Sequence, residues 1–208
     1  MTHADLVAHK PKLGRKRDPS RDQDILDAAL DVLVESGYDG MTVDMVAARA
    51  KAGKATLYRR WPSKGELIVD CLLDAFGPVP LQGASPVELM SSAICWIAAK
   101  IGEPGVGDAF AGVFSDAVSD PALREVLSTR LQDPYRLALQ EALDEPENRV
   151  LFLIDVVVGT LLHRMGMTGE PMVDDDVAAL IEMVVPYFAD HAGPTAQADS
   201  PARRARHA

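Results

Sequence analysis

The sequence predicts an all-α protein with a small N-terminal helical region and a larger C-terminal one. Apolar residues recur every three or four positions along most of the chain, which is the period of an amphipathic helix. Residues that start and stop helices, such as Ser20, Gly37 and Thr42, flank these periodic stretches. We find no convincing strand pattern, no internal repeat and no low-complexity tract.

The composition is that of a globular protein. The chain has 208 residues, of which 48% are hydrophobic and 25% charged, and this is too apolar for a disordered protein. The longest apolar stretch, 150–162, contains Asp155 and is too short and too polar to span a bilayer. The N-terminus has no apolar run that would indicate a secretory signal. The two cysteines, Cys71 and Cys95, exclude a disulfide scaffold and have no neighbouring histidines for zinc. We expect a cytoplasmic, nucleoid-associated protein without metal, cofactor or membrane partner.

Charge is unevenly distributed along the chain. Residues 1–64 carry 12 Lys and Arg against 9 Asp and Glu, whereas residues 65–208 carry 9 against 22. The basic residues of the first part fall in two blocks, 10–21 and 49–64, and the second block contains no acid. Such blocks are either solvated faces or the footprint of a polyanion, and two of them in an acidic protein favour the polyanion. We therefore expect nucleic-acid contacts in the N-terminal quarter only.

The N-terminal region is predicted as a flexible arm followed by four helices. The arm, residues 1–19, lacks an apolar period and can follow phosphates or enter a minor groove through Lys10, Lys12, Arg15, Lys16 and Arg17. The helices are predicted at 20–37, 42–50, 54–61 and 64–76. Ser20, Thr42 and Ser63 are typical N-cap residues, and Pro62 ends the third helix.

The C-terminal region follows a linker, Gly77–Ser85, which contains two prolines and two glycines. Helices are predicted at about 85–101, 108–119, 121–132, 134–144, 148–165 and 174–189. The run Asp174–Asp176 is interpreted as the start of the last helix rather than as a cation site.

Residues 42–61 have the outline of a helix-turn-helix, with two short helices joined by a tight turn. In the second helix Leu57 and Trp61 share one face, which can anchor the helix to its neighbours. The remaining surface is polar and basic, and it carries Lys54, Thr56, Tyr58, Arg59 and Arg60. Lys and Arg donate to guanine in the major groove, and hydroxyl groups donate to phosphates. This division of faces predicts a DNA recognition helix.

The segment from Thr42 to Lys64, with the sequence ATLYRRWPSK at 55–64, resembles the DNA-binding domain of the tetracycline-repressor (TetR) family. The stretches 161–164 and 168–171 weakly resemble the end of many members. The resemblance implies an all-α homodimer whose subunits combine a three-helix helix-turn-helix domain with a helical ligand-binding and dimerisation domain. The corresponding boundaries here are 1–19 for the arm, 20–66 and 67–192 for the two domains, and 193–208 for a disordered tail.

The resemblance also implies roles for individual residues. Base-facing positions correspond to Lys54, Ala55 and Arg59, and phosphate-binding positions to Thr42, Thr56, Tyr58, Arg60 and Lys64. Two positions depart from the family pattern. Lys51 occupies a turn position that is more often glycine, which leaves the turn geometry open. Gly53 replaces a capping serine, which predicts a cap weaker by roughly a few tenths of a kcal/mol.

The C-terminal region is expected to bind an effector and to form the dimer. Its glycines at 102, 105, 107 and 112 suit mobile segments around a cavity. The candidate pocket residues are Met90, Trp96, Phe110, Phe114 and His163, for each of which plain packing is the alternative. Two helices have more apolar residues than one core needs and predict a dimer interface of Leu151, Ile154, Val158, Leu162, Leu180 and Val184. Asp155 is expected to be buried and paired across that interface.

The predicted function is a ligand-responsive homodimeric repressor that is released from a palindromic DNA operator by a small, largely apolar effector. The acidic C-terminal region favours a neutral or cationic effector. The alternative is a DNA-binding protein of the same fold without an inducer, in an architectural or division-linked role. No triad spacing, phosphate loop or acidic metal cluster stands out, so we do not expect an enzyme.

Overall fold

The all-α prediction is confirmed by the computed structural model, which describes residues 19–190 and the side chains of residues 21–188. Within these residues there are ten α-helices, one π-helical segment and no strand. The predicted basic arm, with Lys10, Lys12, Arg15, Lys16 and Arg17, and the predicted tail 193–208 lie outside the described residues.

The helices follow the predicted order closely. They are α1 (Pro19–Gly40), α2 (Val43–Arg49), α3 (Lys54–Arg60), α4 (Lys64–Phe76), α5 (Pro86–Gly102), α6 (Val106–Ser119), α7 (Pro121–Val126), the π segment (Leu127–Gln132), α8 (Asp133–Leu143), α9 (Glu147–Thr168) and α10 (Asp174–Asp190). Helix α4 runs unbroken through the boundary expected at residues 66 and 67.

Thr42 and Ser63 begin helices as the sequence predicts, whereas α1 begins at Pro19, so that Ser20 lies inside the helix and is not its N-cap. The Thr42 hydroxyl accepts a hydrogen bond from the Met45 amide at 3.2 Å, and the Ser63 hydroxyl accepts one from the Glu66 amide at 3.1 Å. Each bond satisfies one of the amides that a helix N-terminus leaves without a partner. In α1 the helix is interrupted at Gly37, whose φ of 67° lies in the left-handed region that glycine tolerates best.

The π segment was not predicted, and Pro134 gives its physical reason. Proline has no amide hydrogen, and its ring clashes with the carbonyl four residues earlier, which is that of Arg130. The helix preceding the proline therefore widens by a residue per turn instead of ending, and α7, the π segment and α8 form a continuous path.

The described helices form a small N-terminal bundle and a larger C-terminal one. Helices α1, α2 and α3 pack around Ile25, Val46 and Leu57. Helix α4 contacts both α1 and α6, and α5, α6, α8 and α9 surround the C-terminal core. Helix α10 packs mainly on α5.

Two glycines of α6 have a role other than the expected mobility. A Cβ at Gly112 would lie 2.2 Å from the Tyr38 ring, and one at Gly107 would lie 2.3 Å from the Met165 sulfur. These glycines therefore allow α6 to approach α1 and α9 closely.

Helix α9 extends beyond the stretch 150–162 that was judged too short and too polar to span a bilayer, and the whole helix is long and apolar enough to do so by length and composition alone. In the structure one side of it, with Val150, Leu153, Val157 and Leu161, is buried against the C-terminal core. This packing is that of a core helix whose other side remains exposed.

Candidate DNA-binding surface and effector cavity

Helix α3 is fixed by its apolar face and by the turn that precedes it. Leu57 and Trp61 are buried, as predicted. Lys51 in the turn has a φ of 49°, a left-handed conformation that is uncommon outside glycine, and its carbonyl accepts a hydrogen bond from Arg21 at 2.5 Å. Gly53 provides no side-chain hydrogen bond at the start of α3, so the weaker cap there stays a prediction.

The opposite face of α3 is exposed. Lys54, Ala55, Tyr58 and Arg59 all lie on it, with Tyr58 49% exposed, and Thr56 is half-buried. The helix thus presents two cations and a phenol on one continuous surface. A surface of this kind can donate to base edges and to phosphates in a major groove.

The second basic block has acidic partners in space although it has none in sequence. Arg49 pairs with Glu35, and Lys54 pairs with Asp44. Arg60 pairs with Asp22, and the two side chains are only 17% and 16% exposed. The hydrogen bonds from Arg49 hold the pKa of the Glu35 carboxyl below its ordinary value.

These pairs divide the predicted contact residues into two groups. Arg60, predicted to contact phosphate, is mostly covered and paired with Asp22, which makes it a poor candidate for that role as placed. Lys54 keeps a largely exposed ion pair, which phosphates can displace at little cost. Arg59 has no ion pair within residues 21–188, so its guanidinium is available to a ligand.

Lys64 and Thr42, both predicted to hold phosphates, make contacts within the fold. The Lys64 ammonium donates to the Tyr38 carbonyl at 2.5 Å and lies 3.9 Å from the centroid of the Tyr38 ring. The Thr42 hydroxyl caps α2. Substitution of either residue will therefore change local structure in addition to any phosphate contact.

A cavity of about 360 Å³ lies in the C-terminal bundle. It is enclosed by the end of α4, by α5 and α6, by the π segment, and by α8 and α9. Four of the predicted pocket residues, Met90, Trp96, Phe110 and Phe114, line it. The fifth, His163, is exposed and is not among the lining residues, because it lies on the outer side of α9.

The cavity wall also contains two aromatic residues, Phe76 and Tyr135, that were not predicted from the sequence. Phe76 makes edge-on contacts with Trp96 and Phe110 at centroid distances of 5.9 and 5.5 Å, and Trp96 lies 5.4 Å from Tyr135. The Tyr135 hydroxyl donates to the Gly77 carbonyl at 2.8 Å, and burial raises its pKa to about 12. These rings form an apolar wall with few polar groups, which suits a hydrophobic ligand.

The structure corrects the expected surroundings of Asp155 and of the dimer residues. Asp155 is exposed at the edge of the cavity rather than buried. Leu180 and Val184 are buried, because that face of α10 packs on α5 of the same chain. The helical period identified an apolar face on α10 but did not show that this face packs against α5 of the same chain.

The rest of the predicted dimer set lies on α9. Ile154, Val158 and Leu162 are half-buried residues that line the cavity, and Leu151 is also half-buried. The large apolar side chains left exposed on the two helices include Phe152, Met183 and Tyr187.

A chain of side-chain contacts joins the recognition helix to the cavity wall. The Trp61 indole N–H donates to Asp70 of α4 at 2.7 Å, and Asp70 also pairs with Arg130 of the π segment. The same segment carries Leu127, Leu131 and Gln132 into the cavity wall. Helix α4 itself ends at Phe76 in that wall.

Comparison with known proteins identifies the family to which this chain belongs. A sequence profile described as bacterial regulatory proteins, tetR family, matches residues 25–71, and a tetracyclin repressor-like C-terminal domain profile matches residues 91–184. The chain belongs to the TetR family. The resemblance found at Thr42–Lys64 is thereby confirmed.

Relatives of similar length support this assignment. The HTH-type transcriptional regulator YdeS of Bacillus subtilis is 32% identical over 82% of this chain and 90% of its own. An HTH-type regulator of Mycobacterium tuberculosis is also 32% identical, over 82% of this chain and 91% of its own. A TetR regulator structure from Rhodococcus sp. RHA1 shares the fold, with a TM-score of 0.66 at 20% identity over 84% of this chain and 98% of that one. This TetR-family protein is therefore a helix-turn-helix transcriptional regulator.

Among residues 21–188 there is no group of three or more His, Cys, Asp or Glu arranged to hold a metal ion. Cys71 is buried and Cys95 is exposed, and both are free thiols.

Proposed function

We propose that this regulator is a homodimeric, cytoplasmic repressor, associated with the nucleoid, that reads a palindromic operator through α3 and leaves it when a small apolar molecule enters the cavity. The observation that carries the proposal is the contact chain Trp61–Asp70–Arg130, because it connects the recognition helix with a segment that lines the cavity. A ligand that moves the π segment moves the anchor of α3.

The base-reading role falls to the exposed cations of α3. Arg59 is exposed and has no ion pair among the described residues. Lys54 can contact DNA once its exposed ion pair with Asp44 is broken. Ala55 lies beside Lys54 with little side chain to obstruct a base edge. Thr56, Tyr58 and Lys64 are proposed to hold phosphates, with Tyr58 the most exposed of the three.

The effector is proposed to be largely apolar and either neutral or cationic. The cavity is walled by aromatic and aliphatic side chains, and the one ionic side chain in its lining is the Asp155 carboxylate. An effector needs only to prefer the conformation in which the two recognition helices are wrongly spaced. A 100-fold preference corresponds to about 2.7 kcal/mol, which empties an operator at ordinary occupancy.

The base-reading assignment is tested with an operator selected from random DNA by the purified protein. Arg59→Ala should weaken binding to that operator by roughly 1–3 kcal/mol while leaving affinity for random DNA nearly unchanged. Lys100→Ala, which removes a cation from the C-terminal region, is the matched control and should change neither affinity. Equal losses on operator and random DNA for Arg59→Ala would remove Arg59 from the base-reading set.

The inducer-free alternative differs in the distribution of binding sites. A repressor of this kind should protect one or two palindromes near promoters in a genomic footprint, whereas an architectural protein should protect many dispersed sites. The cavity favours the first, because a protein that only binds DNA has no need of an open aromatic-lined space.

A further inference from the structure

A second, smaller cavity lies beside the first, where α9 begins. Its volume is about 160 Å³, and its walls come from the start of α5, the end of α8, the first turns of α9 and the end of α10. Val150 and Phe188 are buried in its wall, whereas Val87 at the start of α5 is 45% exposed. The smaller cavity is therefore reached from the surface beside α5.

Two side chains separate the smaller cavity from the larger one. Met90 of α5 and Leu153 of α9 line both cavities, and both are buried. A methionine side chain is unbranched and has three rotatable bonds, so it adapts its shape more easily than other apolar side chains. A change of rotamer at Met90 can therefore join the two spaces.

The size of the smaller cavity limits how it can be used. Sites for small molecules usually have volumes of roughly 300–1,000 Å³. The larger cavity, at about 360 Å³, lies within this range, and the smaller one, at about 160 Å³, lies well below it. The smaller cavity is too small for an effector of its own. It has room for one end of a molecule whose remainder occupies the larger cavity.

The smaller cavity contains an ion pair. Glu145 and Arg149 line it, and their side chains are only 10% and 20% exposed. Nε of Arg149 donates to Oε2 of Glu145 at 2.7 Å, and Nη2 donates to the Phe188 carbonyl at 3.0 Å. Within residues 21–188, Nη1 of Arg149 and Oε1 of Glu145 have no hydrogen-bond partner. A donor and an acceptor are therefore available side by side.

The same ion pair selects against a charged end group. A carboxylate placed in this cavity would lie close to Glu145, and an ammonium group would lie close to Arg149. Like charges repel strongly where the surroundings are apolar and exclude water. An uncharged group that both donates and accepts hydrogen bonds, such as a primary amide, can bond to both side chains without this repulsion.

We propose that the effector site, as assigned in the proposed function on which this refinement rests, has two compartments and takes an elongated, uncharged molecule. The apolar body of the molecule lies against the aromatic wall of the larger cavity. Its end, a primary amide or a group with equivalent hydrogen bonding, passes between Met90 and Leu153. There it accepts from Arg149 and donates to Glu145. The bonds from Arg149 to Glu145 and to the Phe188 carbonyl hold the guanidinium in place before the ligand binds.

Filling each compartment separately tests the division. The probes are decanamide and biphenyl, of which the second is short enough for the larger cavity alone, and calorimetry gives their dissociation constants. Val87→Phe places a ring at the smaller cavity only, and it should weaken decanamide binding at least tenfold while leaving biphenyl binding within about twofold of the wild type. Ala93→Phe, at the larger cavity, is the matched control and should weaken both. Equal effects of Val87→Phe on the two probes would overturn the division.

The end group is tested with N,N-dimethyldecanamide, which keeps the tail and the carbonyl acceptor but has no N–H. The wild type should bind decanamide at least fivefold more tightly than this analogue. The double variant E145L/R149L removes both charges, so that neither is left buried without a partner, and it should bind the two amides equally within about twofold. No preference in the wild type, or a preference that survives in a folded E145L/R149L, would place the end group elsewhere. The Val87→Phe comparison does not depend on the stability of this double variant.

The two proposals fail in different ways. If both probes bind in the expected pattern but operator affinity is unchanged, release by the effector is contradicted and the two compartments stand. If biphenyl releases the operator and decanamide shows no dependence on Val87 or on the ion pair, only the smaller compartment is contradicted. If neither probe binds, both proposals fail.

Discussion

The N-terminal and C-terminal bundles are packed differently. Helices α1–α3 close around side chains that are fully buried, including Ile25, Val46 and Leu57. Helices α5, α6, α8 and α9 close around a cavity of about 360 Å³. The filled bundle carries α3, and the hollow bundle contains free volume; under the proposed function the first stays rigid and the second deforms when a ligand enters. In a two-state regulator the reading surface must be rigid and the sensing part must be deformable.

We expect the two bundles to differ most in how much unfolding free energy is lost when a buried leucine is replaced by alanine. Leu57→Ala should reduce the free energy of unfolding by about 2–5 kcal/mol, because the site is fully enclosed. Leu131→Ala, at the cavity wall, should fall at or below the lower end of that range, since this side chain already lacks neighbours on one side. Urea denaturation gives both values, and a larger loss for Leu131→Ala would contradict the comparison.

Replacing a small side chain by a larger one in each bundle tests the same difference in packing from the opposite side. Ala29 is fully buried in α1, and Ala93 of α5 lines the cavity. Ala29→Leu should destabilise the protein by about 1–3 kcal/mol through overpacking, whereas Ala93→Leu should be neutral or stabilising because its methyl groups enter empty space. Thermal unfolding of the two variants provides the measurement. Equal destabilisation would mean that the C-terminal bundle is as tightly filled as the N-terminal one.

The contact between the bundles at Asp70 should show a graded response. Asp70→Ala leaves the buried Trp61 indole N–H without an acceptor, which costs about 1–3 kcal/mol. Asp70→Asn keeps an acceptor and loses only the partly exposed pair with Arg130, worth at most about 1 kcal/mol. Operator affinity measured beside stability separates the two, since the alanine variant should also loosen α3. If both variants behave alike, the indole bond has no part in anchoring α3.

The smallest expected effect concerns the exposed pair of Glu35 and Arg49. Hydrogen bonding to Arg49 lowers the pKa of Glu35 below its ordinary value of 4.5. A carboxylate with a lowered pKa in the folded state stabilises the fold above its ordinary pKa, and this contribution is lost as the pH falls through the lowered value. An NMR titration should find the Glu35 midpoint below 4.5 in the wild type and close to 4.5 in Arg49→Gln. A wild-type midpoint at or above 4.5 would show that the pair does not persist in solution.

Local signals in the sequence were sufficient to place the α-helices, including α3, although they did not predict the π segment. Caps such as Thr42 and Ser63 act within a few residues, and the two faces of α3 follow from the helical period. These features depend on neighbours in sequence, so a single sequence contains them. The family motif lies in the same local segment and adds the function.

Contacts between distant segments could not be obtained in this way. Arg60 pairs with Asp22, 38 residues earlier, and Asp70 is 60 residues from Arg130. The cavity takes its wall from six elements, so Phe76 and Tyr135 carried no local sign of belonging to it. Periodicity likewise shows that one face of α10 is apolar but not that α5 of the same chain covers it.

Whether occupation of the cavity releases α3 from DNA can be measured by comparing the wild type with Ala93→Phe, in which a ring fills the cavity. Operator affinity is measured by fluorescence anisotropy with and without a panel of neutral and cationic lipophilic compounds that raise the wild-type Tm. We expect at least one compound to weaken wild-type binding tenfold or more and to leave binding by Ala93→Phe unchanged. If every compound that binds leaves operator affinity intact, or if release is the same in both proteins, occupation of the cavity does not release α3.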